Sequence, residues 1–256
     1  MSGAPGLVDI ALFAAGFVSW AISTLAAGGG SVLIVAAVAL ILRGQAIAPV
    51  VTVTSVLASP ARMILLWRFI DWRVVCWYLP GATTGALFGS WTFAHIGTQW
   101  LQIVLALFLI STAWQYRMGV RPRSFMMRLP WFLPVSFASG LTSAVVGASG
   151  LLVNPFYLNY GLIKEAMLAT RAVNSLAIQL VKIGAYVAFG VLHWRLARHG
   201  LVAGAGAITA IWLANPWLQR LSSLRFRQLA VLVMLFGGLL ILWQQRMFLA
   251  AALSVG

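Results

Sequence analysis

Gly28-Gly29-Gly30-Ser31 lies in the middle of an apolar block, Leu7 to Leu42, that is nearly twice as long as one membrane crossing requires. A bilayer's hydrocarbon core takes about 20 helical residues. Three successive glycines weaken a helix, because each gives up more backbone freedom than alanine would. The amides and carbonyls they release find no water among lipid tails, so a break of this kind belongs in protein or against a wet cavity. The block therefore predicts one full-length helix and one short helix ending near Arg43-Gly44, with the break turned inward.

The rest of the chain makes the same demand. Further apolar segments run over 46–69, 74–93, 100–114, 131–146, 164–192, 201–217 and 229–248, with a short one over 155–160. With 62% hydrophobic and only 8% charged residues, the fold class is an all-α, polytopic transmembrane helical bundle. The net charge of +14 would point to nucleic acid in a soluble protein. Here many of the cations sit in short connections, where Lys and Arg mark the cytoplasmic side, and nucleic acid is not expected as a partner. Arg117, Arg121, Pro122, Arg123 and Arg128 make 118–129 a basic cytoplasmic linker. No Lys or Arg precedes the first apolar segment, which is expected to stay as a span. Cys76 is alone, so no intrachain disulfide forms.

The linker separates two copies of one plan, a first transmembrane repeat over 1–117 and a second over 130–256. Gly147-Ala148-Ser149-Gly150 returns 120 positions after the first glycine cluster, and the same offset maps Ser55 onto Ser175, Ser59 onto Gln179 and Arg62 onto Lys182. If both short segments cross, each half has an odd number of passes and the repeats are inverted. If they are re-entrant, the halves run parallel. The charge distribution tilts the choice towards inversion. Gly81, Gly85 and Gly89 form a small-residue stripe at which two helix backbones can approach closely.

The chemistry concentrates on two helices. Arg171, Ser175, Gln179 and Lys182 recur at spacings of four, four and three, one stripe of a helix, with Asn174 and Thr170 beside it. Ser55, Ser59 and Arg62 repeat the pattern in the first half, flanked by Thr52 and Thr54. Every side chain in these stripes donates hydrogen bonds and none is a carboxylate, which suits the desolvation of an anion. Backbone amides at Gly29, Gly30, Ser31 and Gly150, at the starts of the short helices, extend the candidate substrate site. Two plainer alternatives stand beside this: Arg62 can snorkel to the interface, and Ser55 and Ser175 can bond their own helix carbonyls. Lys164 and Glu165 read as a charge pair at a helix start. His95, His193 and His199 fall in connections without metal-ligand spacing, and nothing resembles a catalytic constellation or a cofactor loop. Neither enzymatic activity nor a cofactor is expected. Trp72, Trp77, Trp194 and Trp217 fit interfacial belts.

In its order of motifs the chain resembles the sulfite exporter TauE/SafE family of permeases. The likeness rests on Ala26-Ala27-Gly28-Gly29-Gly30-Ser31, Thr52-Val53-Thr54-Ser55, the Gly81 to Gly89 stripe, and the later echoes Gly147-Ala148-Ser149-Gly150, Asn154-Pro155 and Ala169-Thr170-Arg171-Ala172. The first short helix lacks a counterpart of Pro155, and Ala148 and Ser149 stand where the family commonly has glycine. The resemblance implies transport of a sulfur-containing anion, namely sulfite, thiosulfate or an organosulfonate, by alternating access across a bacterial-type cell inner membrane. Membrane lipid is the other expected partner, and a homo-oligomer stays open. A permease for a carboxylate or another small anion, or a non-transporting membrane assembly or receptor subunit, are the competing functions.

Overall fold

A computed structural model describes residues 5–26, 30–42, 46–93, 103, 106–111, 125–146, 152–188, 190 and 192–244. The described residues form helices and no strand: α1 (Pro5–Leu25), α2 (Gly30–Ile41), α3 (Ile47–Leu65), α4 (Trp72–Phe93), α5 (Phe132–Val146), α6 (Asn154–Tyr160), α7 (Lys164–Ala188), α8 (Trp194–Arg220) and α9 (Ser223–Gln244). Residues 106–111 are helical as well. Gly6–Leu25, Ile47–Leu65, Trp194–Arg220 and Ser223–Leu240 are long and apolar enough to cross a membrane. Trp194 and Trp217, both exposed, stand about 34 Å apart along α8, a spacing that fits one tryptophan at each face of a bilayer.

Two expectations about helix ends are corrected. α8 begins at Trp194 rather than near Leu201, so His199 lies on a helix and not in a connection. Hydropathy does not see this turn because it is basic. Arg and His nevertheless continue a helix readily, and Arg198 and His199 both meet Asp9 of α1 there. α7 stops at Ala188 rather than near Leu192. The expected pair at the start of α7 forms, with Lys164 Nζ 3.5 Å from Glu165.

Asp71 fixes the turn from α3 into α4. Its Oδ1 accepts the amides of Arg73 (3.0 Å) and Val74 (3.2 Å), an N-cap, and its own amide donates to Thr170 Oγ1 at 2.9 Å. Asp71→Ala is expected to cost about 1 kcal/mol, measurable as a lower melting temperature in detergent.

Residue contacts set the helix directions. Gly81, Gly85 and Gly89 of α4 abut Leu133, Phe137 and Leu141 of α5 in ascending order, so these two run parallel. α8 runs parallel to α3, since Gly200 meets Val50 and Val53 and Gly204 meets Leu57. It also runs parallel to α1, where Asp9 meets Arg198 and Gly16 meets Ala203. Tyr186 reaches Thr52 near one end of the α3–α7 pair, while Thr170 holds Asp71 at the other, so α3 and α7 are antiparallel. Because α1 and α3 point the same way, with Thr24 and Arg62 bonded near both C-terminal ends, the stretch between them must carry the chain back. The twelve residues of α2 cover about 18 Å of that return.

The helices exchange partners across the sequence. α1 and α3 pack on α8, and α5 and α7 pack on α4. Two cores result. One joins α1, α2, α3 and α8 around Leu12, Trp20, Val50 and Ala207, and the other joins α4, α5, α6, α7 and α9 around Tyr78, Phe132, Tyr157 and Phe226. The C-terminal ends of α3 and α8 and the starts of α4, α7 and α9 gather at one end of the bundle, which carries Arg68, Arg73, Arg128, Lys164, Arg220, Arg225 and Arg227 against Asp71 and Glu165 among the described residues. The opposite end carries Arg195 and Arg198 against Asp9.

Candidate functional site

Between the two cores lies a cavity of about 60 Å³. One water needs about 10–15 Å³, so the cavity has room for a few waters or for a small oxyanion stripped of its water shell. α1 supplies Trp20 and Ser23, α3 supplies Ser55, Ser59 and Arg62, and α7 supplies Arg171, Asn174, Ser175 and Gln179. Tyr78 of α4, Ser139 and Ser143 of α5, and Tyr157 of α6 complete the polar wall.

Of the residues proposed from sequence, Ser55, Arg62, Arg171, Asn174, Ser175 and Gln179 therefore share one chamber. Arg62 does not snorkel. It is 7% exposed, and its Nη2 donates to Thr24 Oγ1 at 3.0 Å while Nε has no hydrogen-bond partner among the described residues. Arg171 Nη1 donates to Asn154 Oδ1 at 3.2 Å, tying α7 to the first turn of α6. The Asn174 amide donates to the Tyr157 hydroxyl at 2.7 Å, leaving that hydroxyl its own hydrogen for the cavity. Turned over, Asn174 would accept from Tyr157 and present its NH₂ instead, so the pair supplies a donor in either sense.

Ser55 follows the plainer alternative in part: its hydroxyl donates to Val51 O at 2.8 Å, so its single hydrogen is spent on its own helix. Thr54 turns away from the cavity, bonding Val50 O at 2.9 Å and Gly200 O at 3.2 Å in the α3–α8 contact. Lys182 is 1% exposed and its Nζ has no hydrogen-bond partner among the described residues, yet the cavity wall on α7 ends at Gln179. Gly30 opens α2, with Ser31 in its first turn. Gly28, Gly29 and Gly147 to Gly150 lie outside the described residues, as do His95 and most of the 118–129 linker.

Sequence reasoning passed over Ser23, Ser139 and Ser143, because serines scattered in apolar helices carry no stripe. The 120-residue offset would have found them: Ser23 maps onto Ser143, and buried Ser19 maps onto Ser139. Tyr78 and Tyr157 leave no such trace. Their rings stack with centroids 6.3 Å apart, and the Tyr78 hydroxyl donates to Ser139 at 2.9 Å.

No carboxylate lines the chamber. Asp9, Asp71 and Glu165 are the chain's only acids, and each is engaged at a helix end with Arg198, the α4 amides or Lys164. Two guanidinium groups thus face one small space with no carboxylate in its wall, an expensive arrangement that a bound anion relieves.

The profile of the family described as sulfite exporter TauE/SafE matches residues 12–241. The chain belongs to the TauE/SafE family. No curated protein and no solved structure matches it. As a TauE/SafE member it is a multi-pass membrane permease. The match takes in every described residue of the chamber, from Trp20 to Gln179.

Proposed function

We propose that this TauE/SafE permease carries a sulfur-containing anion, sulfite, thiosulfate or an organosulfonate, across the cell inner membrane by alternating access. The observation that carries the proposal is the buried chamber walled by Arg62, Arg171 and neutral donors with no carboxylate. An oxyanion entering it exchanges hydration for guanidinium, amide and hydroxyl hydrogens. The chamber's position between two separately packed cores supports a rocking of one core against the other.

In this proposal 1–117 and 130–256 act as inverted repeats, a reading favoured by the antiparallel α3 and α7 and by the exchange of α1 and α5 onto α8 and α4. The end rich in Arg68, Arg73, Arg128, Arg220, Arg225 and Arg227 faces the cytoplasm, as the positive-inside rule requires.

An inside-negative potential drives an anion outward by about 2.3 kcal/mol per charge per 100 mV, a gradient of roughly fifty-fold. With the three acids held at helix ends, export runs without a coupled proton. Sulfite flux from proteoliposomes is expected to rise with a potential that is negative on the sulfite side and to ignore a pH gradient. Flux that follows the pH gradient at zero potential would sink the uncoupled mechanism. The absence of flux for sulfite, thiosulfate and methanesulfonate alike would sink the substrate class.

A further inference from the structure

Lys182 is the buried charge that the chamber does not use. It sits on the chamber face of α7, one turn beyond Gln179, and its Nζ has no hydrogen-bond partner among the described residues at 1% exposure. A cation left so in the membrane interior is costly and is not retained for packing, which a leucine or methionine would supply better.

Its location gives it a use. α3 and α7 run antiparallel, with Thr52 beside Tyr186 and Asp71 beside Thr170. In that register Arg171 and Arg62 lie towards the basic end of the bundle. Lys182 lies about one and a half turns farther along the seam from Arg62, towards the end where Asp9 meets Arg198. On α7 the chamber wall runs from Arg171 to Gln179 and leaves out Lys182, although on α3 it runs from Arg62 to Ser55, which the same register sets level with Lys182. The 120-residue offset makes Lys182 the counterpart of Arg62. Two cations occupying matched places on oppositely directed helices cannot both line a chamber that reaches only one of them.

We propose that Lys182 is a second anion station, the cation that replaces Arg62 when the chamber closes towards the basic end and extends towards the other. In the present conformation Arg62 holds the anion and Lys182 is sealed off. In the opposite one Lys182 enters the wall, meets the anion and lets it leave. The inference rests on the permease reading and adds to it a residue that governs turnover without contributing to binding in this conformation.

Binding and flux separate the two. Titration of sulfite, thiosulfate and methanesulfonate onto purified protein is expected to show Lys182→Met within about threefold of wild type while its proteoliposome flux falls by more than about tenfold. Lys182→Arg restores flux, and Arg62→Met loses binding. Wild-type flux in Lys182→Met, or a binding loss equal to that of Arg62→Met, overturns the proposal. Wild-type protein that neither binds nor moves any of the three anions overturns the sulfur-anion reading instead. A second measurement then judges Lys182 alone, and it serves equally if Lys182→Met does not fold. In a Cys76→Ala background, Lys182→Cys is expected to react with an impermeant maleimide from the side of the membrane opposite to that from which Ser59→Cys reacts. Reaction from the same side, or from neither, refutes the second station.

Discussion

Replacing Arg171 by alanine is expected to cut anion flux roughly a hundredfold while leaving a folded, monodisperse protein. Truncating one member of a buried charged contact costs about 2–5 kcal/mol, and tenfold in rate corresponds to about 1.4 kcal/mol. Arg171 contributes to the chamber twice. Its guanidinium is one of two full positive charges on the wall, and its bond to Asn154 at 3.2 Å positions α6, from which Tyr157 reaches Asn174. Alanine removes both contributions. Lysine keeps the charge as a single point without the planar fork, so Arg171→Lys is expected to recover part of the flux and little of the affinity. Radiolabelled sulfite flux in proteoliposomes, with chromatographic behaviour in detergent as the control for folding, measures both. Wild-type flux in Arg171→Ala would remove the guanidinium from the binding site.

The stripe that carries this prediction was legible because helical spacing is a local property. Arg171, Ser175 and Gln179 declare one face of α7 whatever lies opposite, and the offset of 120 ties that face to Ser55, Ser59 and Arg62 on α3. What lies opposite is not local. Tyr78 and Tyr157 arrive from α4 and α6 through packing, and nothing in their own neighbourhoods distinguishes them from interfacial aromatics. Thr54 shows the converse. It sits next to Ser55 in sequence, but about 100° of helix rotation per residue turns it onto α8, where it bonds Gly200 O. Lys182 lies on the predicted stripe and is still outside the wall, since a stripe gives a direction from the helix axis and not which of its residues a cavity reaches. Helix ends failed where polarity and helicity part company, as at Arg195 to His199, which hydropathy assigns to a connection and α8 incorporates.

Gly85→Ala is expected to have the larger effect on the fold itself. A methyl group built at Gly85 would stand 2.1 Å from Phe137 O, and one at Gly206 would stand 2.2 Å from Phe13 O. Both obstacles are backbone carbonyls, which cannot swing aside as a side chain would, so the helices must separate. Overpacking of an ordinary core costs about 1–3 kcal/mol. Here the loss extends along the contact, because α4–α5 and α1–α8 pack through successive small residues, and lipid supplies no hydrophobic force to restore them. Their cohesion is close-range dispersion, which falls steeply with a gap of even 0.5–1 Å, roughly a quarter to a half of each contact. These two contacts also join helices from opposite halves of the chain. Gly85→Ala and Gly206→Ala should therefore lose monodisperse protein on solubilisation, in contrast to Arg171→Ala, which should stay folded and inactive. Gly184→Ala supplies the control: apart from its own helix backbone, no atom of the described residues lies within 4 Å of its added methyl, and alanine favours the helix by about 1 kcal/mol. Its melting temperature in detergent should equal or exceed wild type. Equal stability of all three glycine variants would mean that α4–α5 and α1–α8 are not the contacts holding the halves together.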